Sequence, residues 1–405
     1  MPQLLPDAAA LLAGLDQAGA QVVLVTAGGA AAAIPHLLTT PGASRVVLEG
    51  LCPTARGAVD RLLGGAQESY ASARTARRLA VTAWRRGCEI GGEPSGVVGV
   101  AVTAALKTRA PKRGPHRVIV ATQTLARTSV AALVLGKDAR SRTEEEAVAA
   151  ALVLERLADA AGVATAGRAE GGLALRAGEG VEIVDCAAPP EWQGLLGGTL
   201  RVTRATAAAP RSGRSQPPPP IAPGMLVFPG AFDPLHEGHL RMALVAEEIA
   251  ERPIDFEISV TNVDKPFLDY IEMRSRATQF AGRSLWFTRA ATFLEKLELF
   301  PGGTFVMGAD TYVRLADPRY YGGSAEQAAR AVERIASQAR GLIVFGRERN
   351  GSFEEPARLD APEPLRAVTY FVSQREFRMD ISSTQLRRAA AAADAAAISP
   401  GDATP

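Results

Sequence analysis

Histidine, cysteine and lysine are all scarce in this chain. Of 405 residues, 4 are His and 3 are Cys, and Lys stands only at 107, 112, 137, 265 and 296. Cys52, Cys88 and Cys186 lie far apart, none in a C-x-x-C or Cys/His spacing. That argues against a disulfide framework or a structural zinc site and fits a reducing cytoplasm. No apolar run reaches the about 18 residues of a membrane span. The start, MPQLLPDAAALLAGL, has no basic stretch and carries Pro6 and Asp7, so it does not read as a signal peptide. An excess of one charge is also missing. The 45 basic and 43 acidic residues leave +2, which gives no electrostatic footprint for nucleic acid or an anionic membrane.

What is present is ordinary for a globular protein, 47% hydrophobic and 22% charged. At roughly 150 residues per domain, the length predicts two domains. Over 1–165, the runs QVVLVT (21–26), RVVLE (45–49), GVVGVAVT (96–103), RVIVAT (117–122) and SVAALVL (129–135) predict strands; 69–86 and 143–161 predict helices. Such alternation predicts a layered α/β domain. Residues 166–224 read as a connecting region. Its proline run, Pro217 to Pro220, suits an extended spacer and neither a sheet ladder nor a helix interior. A second alternation fills 225–393. Strands are predicted at 225–230, 256–261, 284–288, 303–308, 341–346 and 367–373, and helices at 238–251, 270–282, 290–299, 325–339 and 383–393. This is the rhythm of a second α/β domain, a Rossmann-like open parallel sheet with helices on both faces. Residues 394–405 read as a disordered tail.

Half of the histidines fall in one stretch, VFPGAFDPLHEGHLRMA (227–243). If Val227–Gly230 ends a strand and Gly238 lies in a first helical turn, His236 stands at the helix entrance. His239 then sits one turn on, on the same face. A helix start offers unpaired N–H groups and the positive end of a dipole, an anion site usually filled by phosphate. Gly230 and Gly238 permit close approach. Two imidazoles beside those N–H groups can donate to phosphate oxygens as charge builds on them. A pair of surface or capping histidines is the plainer account; their concentration after an apolar strand favours phosphate chemistry.

The segment PGAFDPLHEGH resembles the signature of the HxGH nucleotidyltransferase superfamily. That superfamily includes nicotinamide- and nicotinate-mononucleotide adenylyltransferases, pantetheine-phosphate adenylyltransferase and the cytidylyltransferases. His236, Gly238 and His239 occupy the motif positions. ISSTQLR (381–387) is similar to the Ile-Ser-Ser-Thr-x-x-Arg pattern of the mononucleotide adenylyltransferases, and GAD (308–310) to the family's Gly-x-Asp. Thr288, Arg289 and Thr292 fall where that branch carries a Thr-rich segment. A Trp that often follows Gly-x-Asp there is absent, and ADPRYY (316–321) stands in its place.

The resemblance implies transfer of a nucleotidyl group from ATP or CTP to a phosphorylated small-molecule acceptor, with release of pyrophosphate. AMP transfer to nicotinamide or nicotinate mononucleotide is the leading form. Catalytic roles are implied for His236, His239 and Arg387. Nucleotide contacts are implied for Gly230, Phe232, Asp233, Gly238, Gly308, Asp310, Ser382, Ser383 and Thr384. Lys265, Trp286 and Arg274 are acceptor-binding candidates; a solvated surface suits Lys265 as well, whereas a core position suits Trp286 better and a salt-bridged helix face suits Arg274 better. Mg²⁺ is expected to arrive with the NTP, without a metal site of the protein's own. Two alternatives stay open: another phosphorylated acceptor, and a nucleotide-binding sensor without turnover.

Residues 8–162 resemble the C-terminal domain of the competence/damage-inducible protein family, whose members include nicotinamide-mononucleotide amidohydrolases. Gly28-Gly29 and Pro41-Gly42-Ala43-Ser44 stand in the family's order, and 95–106 and 142–157 resemble its later segments. Its nucleophilic Ser falls at Val25, between Leu24 and Thr26 where it has Glu and Cys. Its Tyr and Lys fall at Thr54 and Val59. A hydroxyl nucleophile needs a hydroxyl and a base. With both missing, the resemblance implies a domain without amidohydrolase activity. Such a domain would serve nucleotide binding, regulation, homo-oligomerisation or structure alone.

Overall fold

The computed structural model describes residues 5–110, 113–164, 173–205, 221–262, 266–349 and 352–377. The chain divides into two compact units, Met1–Gly197 with Asp264–Met273, and Gly198–Val263 with Arg274–Pro405.

The first unit is built on a six-stranded sheet of order β2-β1-β3-β4-β5-β6. β1 (Gln21–Ala27) runs parallel to β2 (Val47–Leu51) and β3 (Val97–Ala105). From β3 onward, β4 (His116–Gln123), β5 (Arg127–Leu135) and β6 (Val181–Ala187) are antiparallel. Alternation along each strand splits its side chains between two cores. Leu24, Val100, Val120 and Leu133 pack under α1 (Ala8–Gln17), α2 (Ala33–Leu38) and α3 (Ala43–Val46). Val23, Val25, Ala101 and Ile119 pack under α4 (Arg56–Leu63) and α5 (Ala73–Ile90). α6 (Arg142–Ala160) completes the first face, because Val148, Leu152 and Val153 join its core. Gly99 sets the approach of α5: a Cβ there would stand 2.3 Å from the Ala80 carbonyl oxygen and 2.4 Å from the Trp84 nitrogen.

Two expectations are corrected. The strand placed at 45–49 starts at Val47, because Gly42, at φ 93°, turns the chain into the single turn of α3. Residues 173–205, read within a connecting region, carry β6, α7 (Pro190–Gly197) and β7 (Val202–Arg204). β6 is an edge strand with Ile183 and Val184 exposed, so it lacks the buried alternation that marks a strand in sequence.

The second unit has a seven-stranded sheet, order β15-β12-β11-β8-β9-β10-β7. β8 (Leu226–Pro229), β9 (Ile254–Ser259), β10 (Leu285–Thr288), β11 (Thr304–Gly308), β12 (Gly341–Phe345) and β15 (Thr369–Val372) are parallel; β7 is antiparallel on one edge. β13 (Arg347–Arg349) and β14 (Ser352–Glu354) form a separate hairpin. The chain steps outward from β8 through β9 to β10. It then returns to β8's other side and steps out through β11, β12 and β15. The order reverses between β8 and β11, and in open α/β sheets the ligand crevice lies beyond the strand carboxyl ends at such a reversal. Registered pairing of these two strands covers only Leu226↔Thr304 and Val227↔Phe305. Their carboxyl ends, Phe228-Pro229 and Val306–Gly308, are left untied to each other.

Helices cover both faces of this sheet as well. On one face α8 (Glu237–Ala250) and the part of α9 (Tyr270–Thr278) from Arg274 onward lie with an aromatic cluster. There Phe228, Phe232, Phe256 and Phe280 pack with ring centroids 4.9 to 5.7 Å apart. On the other face Val227, Trp286, Phe305 and Val344 meet Leu297 of α10 (Phe293–Leu299), Tyr312 of α11 (Ala309–Arg314), Val332 of α12 (Ala325–Gln338) and Leu365 of α13 (Glu363–Ala367). That second core also encloses a charge. Glu257, wholly buried, receives Lys296 Nζ at 2.7 Å on each carboxylate oxygen and the Thr288 hydroxyl. Among the described residues, no helix is long and apolar enough to cross a membrane.

Candidate active site

The candidate site is the connection from β8 to α8. Its conformation follows from a few residues. Phe232 turns back at φ 43°, a left-handed value that costs energy for a side chain with a Cβ. Its ring, 2% exposed, folds over Gly230, where a Cβ would stand 2.6 Å from the ring. Gly230 donates its N–H to the Glu257 carbonyl at 2.9 Å, which ties the end of β8 to β9. The chain reaches α8 at His236, whose extended φ of −142° and ψ of 169° make it the N-cap. Gly238 is buried, and a Cβ there would lie 3.0 Å from His236 Nδ1. A side chain at 238 would therefore press on the His236 ring, which would have to give by a few tenths of an ångström.

The two imidazoles stack. Their centroids are 3.7 Å apart and their planes differ by 23°. The His236 backbone N–H donates to His239 Nδ1 at 3.3 Å. A backbone N–H can only donate, so Nδ1 is the acceptor and the His239 proton sits on Nε2. Phe232 meets the His239 ring edge-on at 5.0 Å. Burial depresses the pKa of His236, and it pushes His239 down to about 3, with the neighbouring His236 adding to the effect. Both rings are neutral near pH 7. His239 is thus a fixed, uncharged N–H donor at a helix start, where the backbone adds further donors.

Across the strand-order reversal, β11 delivers Gly308 as the N-cap of α11, with Asp310 exposed in its first turn. Among the described residues, no atom lies within 4 Å of the place a Cβ would take at Gly308, so packing does not demand glycine there. His236, His239, Gly230 and Gly238 thus follow the carboxyl end of β8, and Gly308 and Asp310 stand at the carboxyl end of its parallel neighbour β11. Lys265, Ser382, Ser383, Thr384 and Arg387 lie outside the described residues.

One expected contact is corrected, and several other candidates have structural partners. Trp286 is 3% exposed in the core, where its indole N–H donates to Asp255 Oδ1 at 2.9 Å, so it is not free to bind an acceptor. Phe232 spends its side chain on the aromatic cluster, leaving only its backbone to face a nucleotide. The Asp233 carboxylate lies 3.5 Å from Arg276 Nη2. Arg274 is exposed, whereas Arg276 reaches the motif loop. The signal for Arg276 was helical phase. Met273, Arg276, Ala277 and Phe280 are buried at i, i+3, i+4 and i+7, so this arginine belongs to the inward stripe. Thr288 serves Glu257, and Thr292 caps α10 with Glu295.

In the first unit Val25 is 1% exposed in the α4/α5-side core. A cavity of about 450 Å³ opens beside it in sequence, lined by Gly28, Gly29, Cys52, Thr54, Arg142 and Glu146. Gly28 has φ 84°, and a Cβ there would meet the Ala104 carbonyl oxygen at 2.2 Å. Among the described residues, no group of three or more His, Cys, Asp or Glu is placed to hold a metal ion.

The family described as cytidylyltransferase-like matches residues 227–389. The C-terminal half of the chain thus carries a cytidylyltransferase-like domain, which supports a nucleotidyltransferase activity. The N-terminal region resembles solved structures of competence/damage proteins. A competence-damaged protein (CinA) superfamily protein from Escherichia coli is 16% identical, over 37% of this chain and 86% of that one, with a TM-score of 0.32. The competence/damage inducible protein CihA from Agrobacterium tumefaciens is 19% identical over 38% and 96%, with 0.31. A competence or damage-inducible protein from Enterobacter asburiae is 14% identical over 38% and 95%, with 0.33. No curated protein matches the chain.

Proposed function

We propose that the cytidylyltransferase-like domain of residues 227–389 moves a nucleotidyl group from an NTP to a phosphorylated small molecule, releasing pyrophosphate. The leading form is AMP from ATP onto a pyridine mononucleotide such as nicotinamide or nicotinate mononucleotide. The observation that carries the reading is the stacked, neutral His236–His239 pair at the start of α8, beside the β8/β11 reversal.

In this mechanism an acceptor phosphate oxygen attacks the α-phosphorus, a P–O bond forms, and the bond to the β-phosphate oxygen breaks. No protein nucleophile is needed. The protein contributes position and stabilises charge on the transferring group. His239 Nε2–H donates to an α-phosphate oxygen, and His236 to a neighbouring phosphate. Gly238 keeps the helix start open to them. Ser382, Ser383 and Thr384 supply donors to the β- and γ-phosphates, and Arg387 a forked positive charge. Gly308 and Asp310 approach the nucleoside. Mg²⁺ arriving with the NTP would neutralise part of the charge on the triphosphate, and no side chain of the described residues is assigned to hold it.

CTP as donor is the second reading, favoured by the family match. For the first unit we infer a role without hydrolysis, because Val25 and Thr54 supply no nucleophile–base pair. Nucleotide binding, regulation and self-association remain the candidate roles. The test is pyrophosphate release by the full chain across ATP, CTP, GTP and UTP, each with a panel of phosphorylated acceptors. ATP with a pyridine mononucleotide should give the highest kcat/KM. Preference for CTP moves the assignment to the second reading, and tight nucleotide binding with no pyrophosphate from any pair rejects the enzyme in favour of a sensor.

A further inference from the structure

We propose that Arg276 is a positioning residue for the histidine pair, acting through Asp233 and the backbone of the motif loop; this rests on the transferase reading above. Its guanidinium, 8% exposed, donates from Nη1 to the Ala231 carbonyl at 2.6 Å and sets Nη2 3.5 Å from Asp233 Oδ2. Three residues on, Gln279 accepts the Leu235 N–H at 2.8 Å through Oε1. Phe280 then packs its ring against Phe232 at 5.3 Å. One short segment therefore grips the loop at 231, 232, 233 and 235, just before His236.

The grip has a physical purpose. The loop holds Phe232 at an unfavourable left-handed φ, and such a conformation persists only where its surroundings over-determine it. The forked guanidinium can satisfy a carbonyl and a carboxylate together, which a lysine ammonium does less well. Asp233 thus earns its place by fixing the loop through Arg276. His236 and His239 inherit their position from that loop. A misplacement of about 1 Å at a reacting group costs on the order of 100-fold in rate.

The experiment compares Arg276→Ala, Arg276→Lys, Asp233→Asn and the double variant Arg276→Ala/Asp233→Asn in the full chain. Turnover and backbone hydrogen exchange are both followed. Arg276→Ala should lower kcat about 10- to 100-fold with KM for the NTP changed less than about threefold. Arg276→Lys should recover part of the loss, and the double variant should be no slower than Arg276→Ala alone. Exchange at 231–239 should quicken in both Arg276→Ala and Asp233→Asn. A rise in KM with kcat intact would make Arg276 a phosphate contact and overturn the proposal. So would full additivity with Asp233→Asn, or a fall in thermal stability with turnover per folded molecule unchanged. If Arg276→Ala does not fold, Asp233→Asn carries the same two readouts. A wild-type chain with no turnover rejects the transferase reading. The positioning claim then stands or falls on the exchange data, and unchanged exchange at 231–239 rejects it.

Discussion

Replacing His239 with Ala should lower nucleotidyl transfer about 100- to 1000-fold, the loss typical of one preorganised donor to a developing anion, or about 2.7 to 4 kcal/mol. The size follows from the setting of the ring. Its proton is held on Nε2 by the His236 N–H at Nδ1, and its orientation by Phe232 and by the stacked His236. Nothing has to reorganise when charge builds on the α-phosphate. His239→Asn sharpens the result, because its amide can keep the contact to the His236 N–H while lacking a donor at the Nε2 position. It should be about as slow as His239→Ala; recovery to near wild type would assign the ring to capping alone. The pH profile gives an independent check. The imidazole pKa falls from its ordinary value to about 3 in the folded protein, so the neutral form persists as pH drops through 6.5. The kcat/KM of the free enzyme should show no acid limb near 6.5 that disappears in His239→Ala. Such a limb would mean that the ring titrates at its ordinary value and is not held neutral by burial; a His239-dependent loss of rate as pH rises through that range would mean that it acts as a cation.

Lys296→Met should destabilise the second unit by about 3 to 5 kcal/mol, the usual cost of leaving a buried charge without its partner. Glu257 has no exposed side-chain surface, and both of its oxygens take Lys296 Nζ at 2.7 Å. The Thr288 hydroxyl alone cannot compensate a carboxylate there. The same Glu257 accepts the Gly230 N–H through its backbone, so loss of order at β9 reaches the end of β8. Amide exchange of β9 and β10 in graded denaturant measures the effect. Glu257→Leu/Lys296→Met should restore much of the loss, because replacing both charges by apolar groups of similar volume is often neutral. A Lys296→Met chain within about 0.5 kcal/mol of wild type would show that the carboxylate is hydrated after all.

Much of the strand–helix rhythm was legible because the inner strands are buried on both faces and so read as continuous apolar runs. The motif at 227–243 was legible for a different reason: its glycines and histidines answer local needs at a helix start. What sequence did not carry was long-range geometry. The place of β8 beside β11, and hence the crevice, depends on pairing between residues far apart, Leu226 with Thr304 and Val227 with Phe305. Trp286 could have faced a ligand or a core, and the partner that decides it, Asp255, comes from the neighbouring strand. β6 and β7 carry little signal in sequence, because an exposed edge and a three-residue strand leave little periodicity. Arg276 was readable from helical phase, but a charged residue on an apolar stripe is easily passed over in favour of exposed Arg274.

The most direct measurement is a crystal structure of the full chain with an ATP or CTP analogue that cannot be cleaved between its α- and β-phosphates. The α-phosphate should lie within hydrogen-bond reach of His239 Nε2, with the β- and γ-phosphates against Ser382, Ser383, Thr384 and Arg387. A triphosphate seated away from the α8 start, or imidazoles turned from it, would contradict the account.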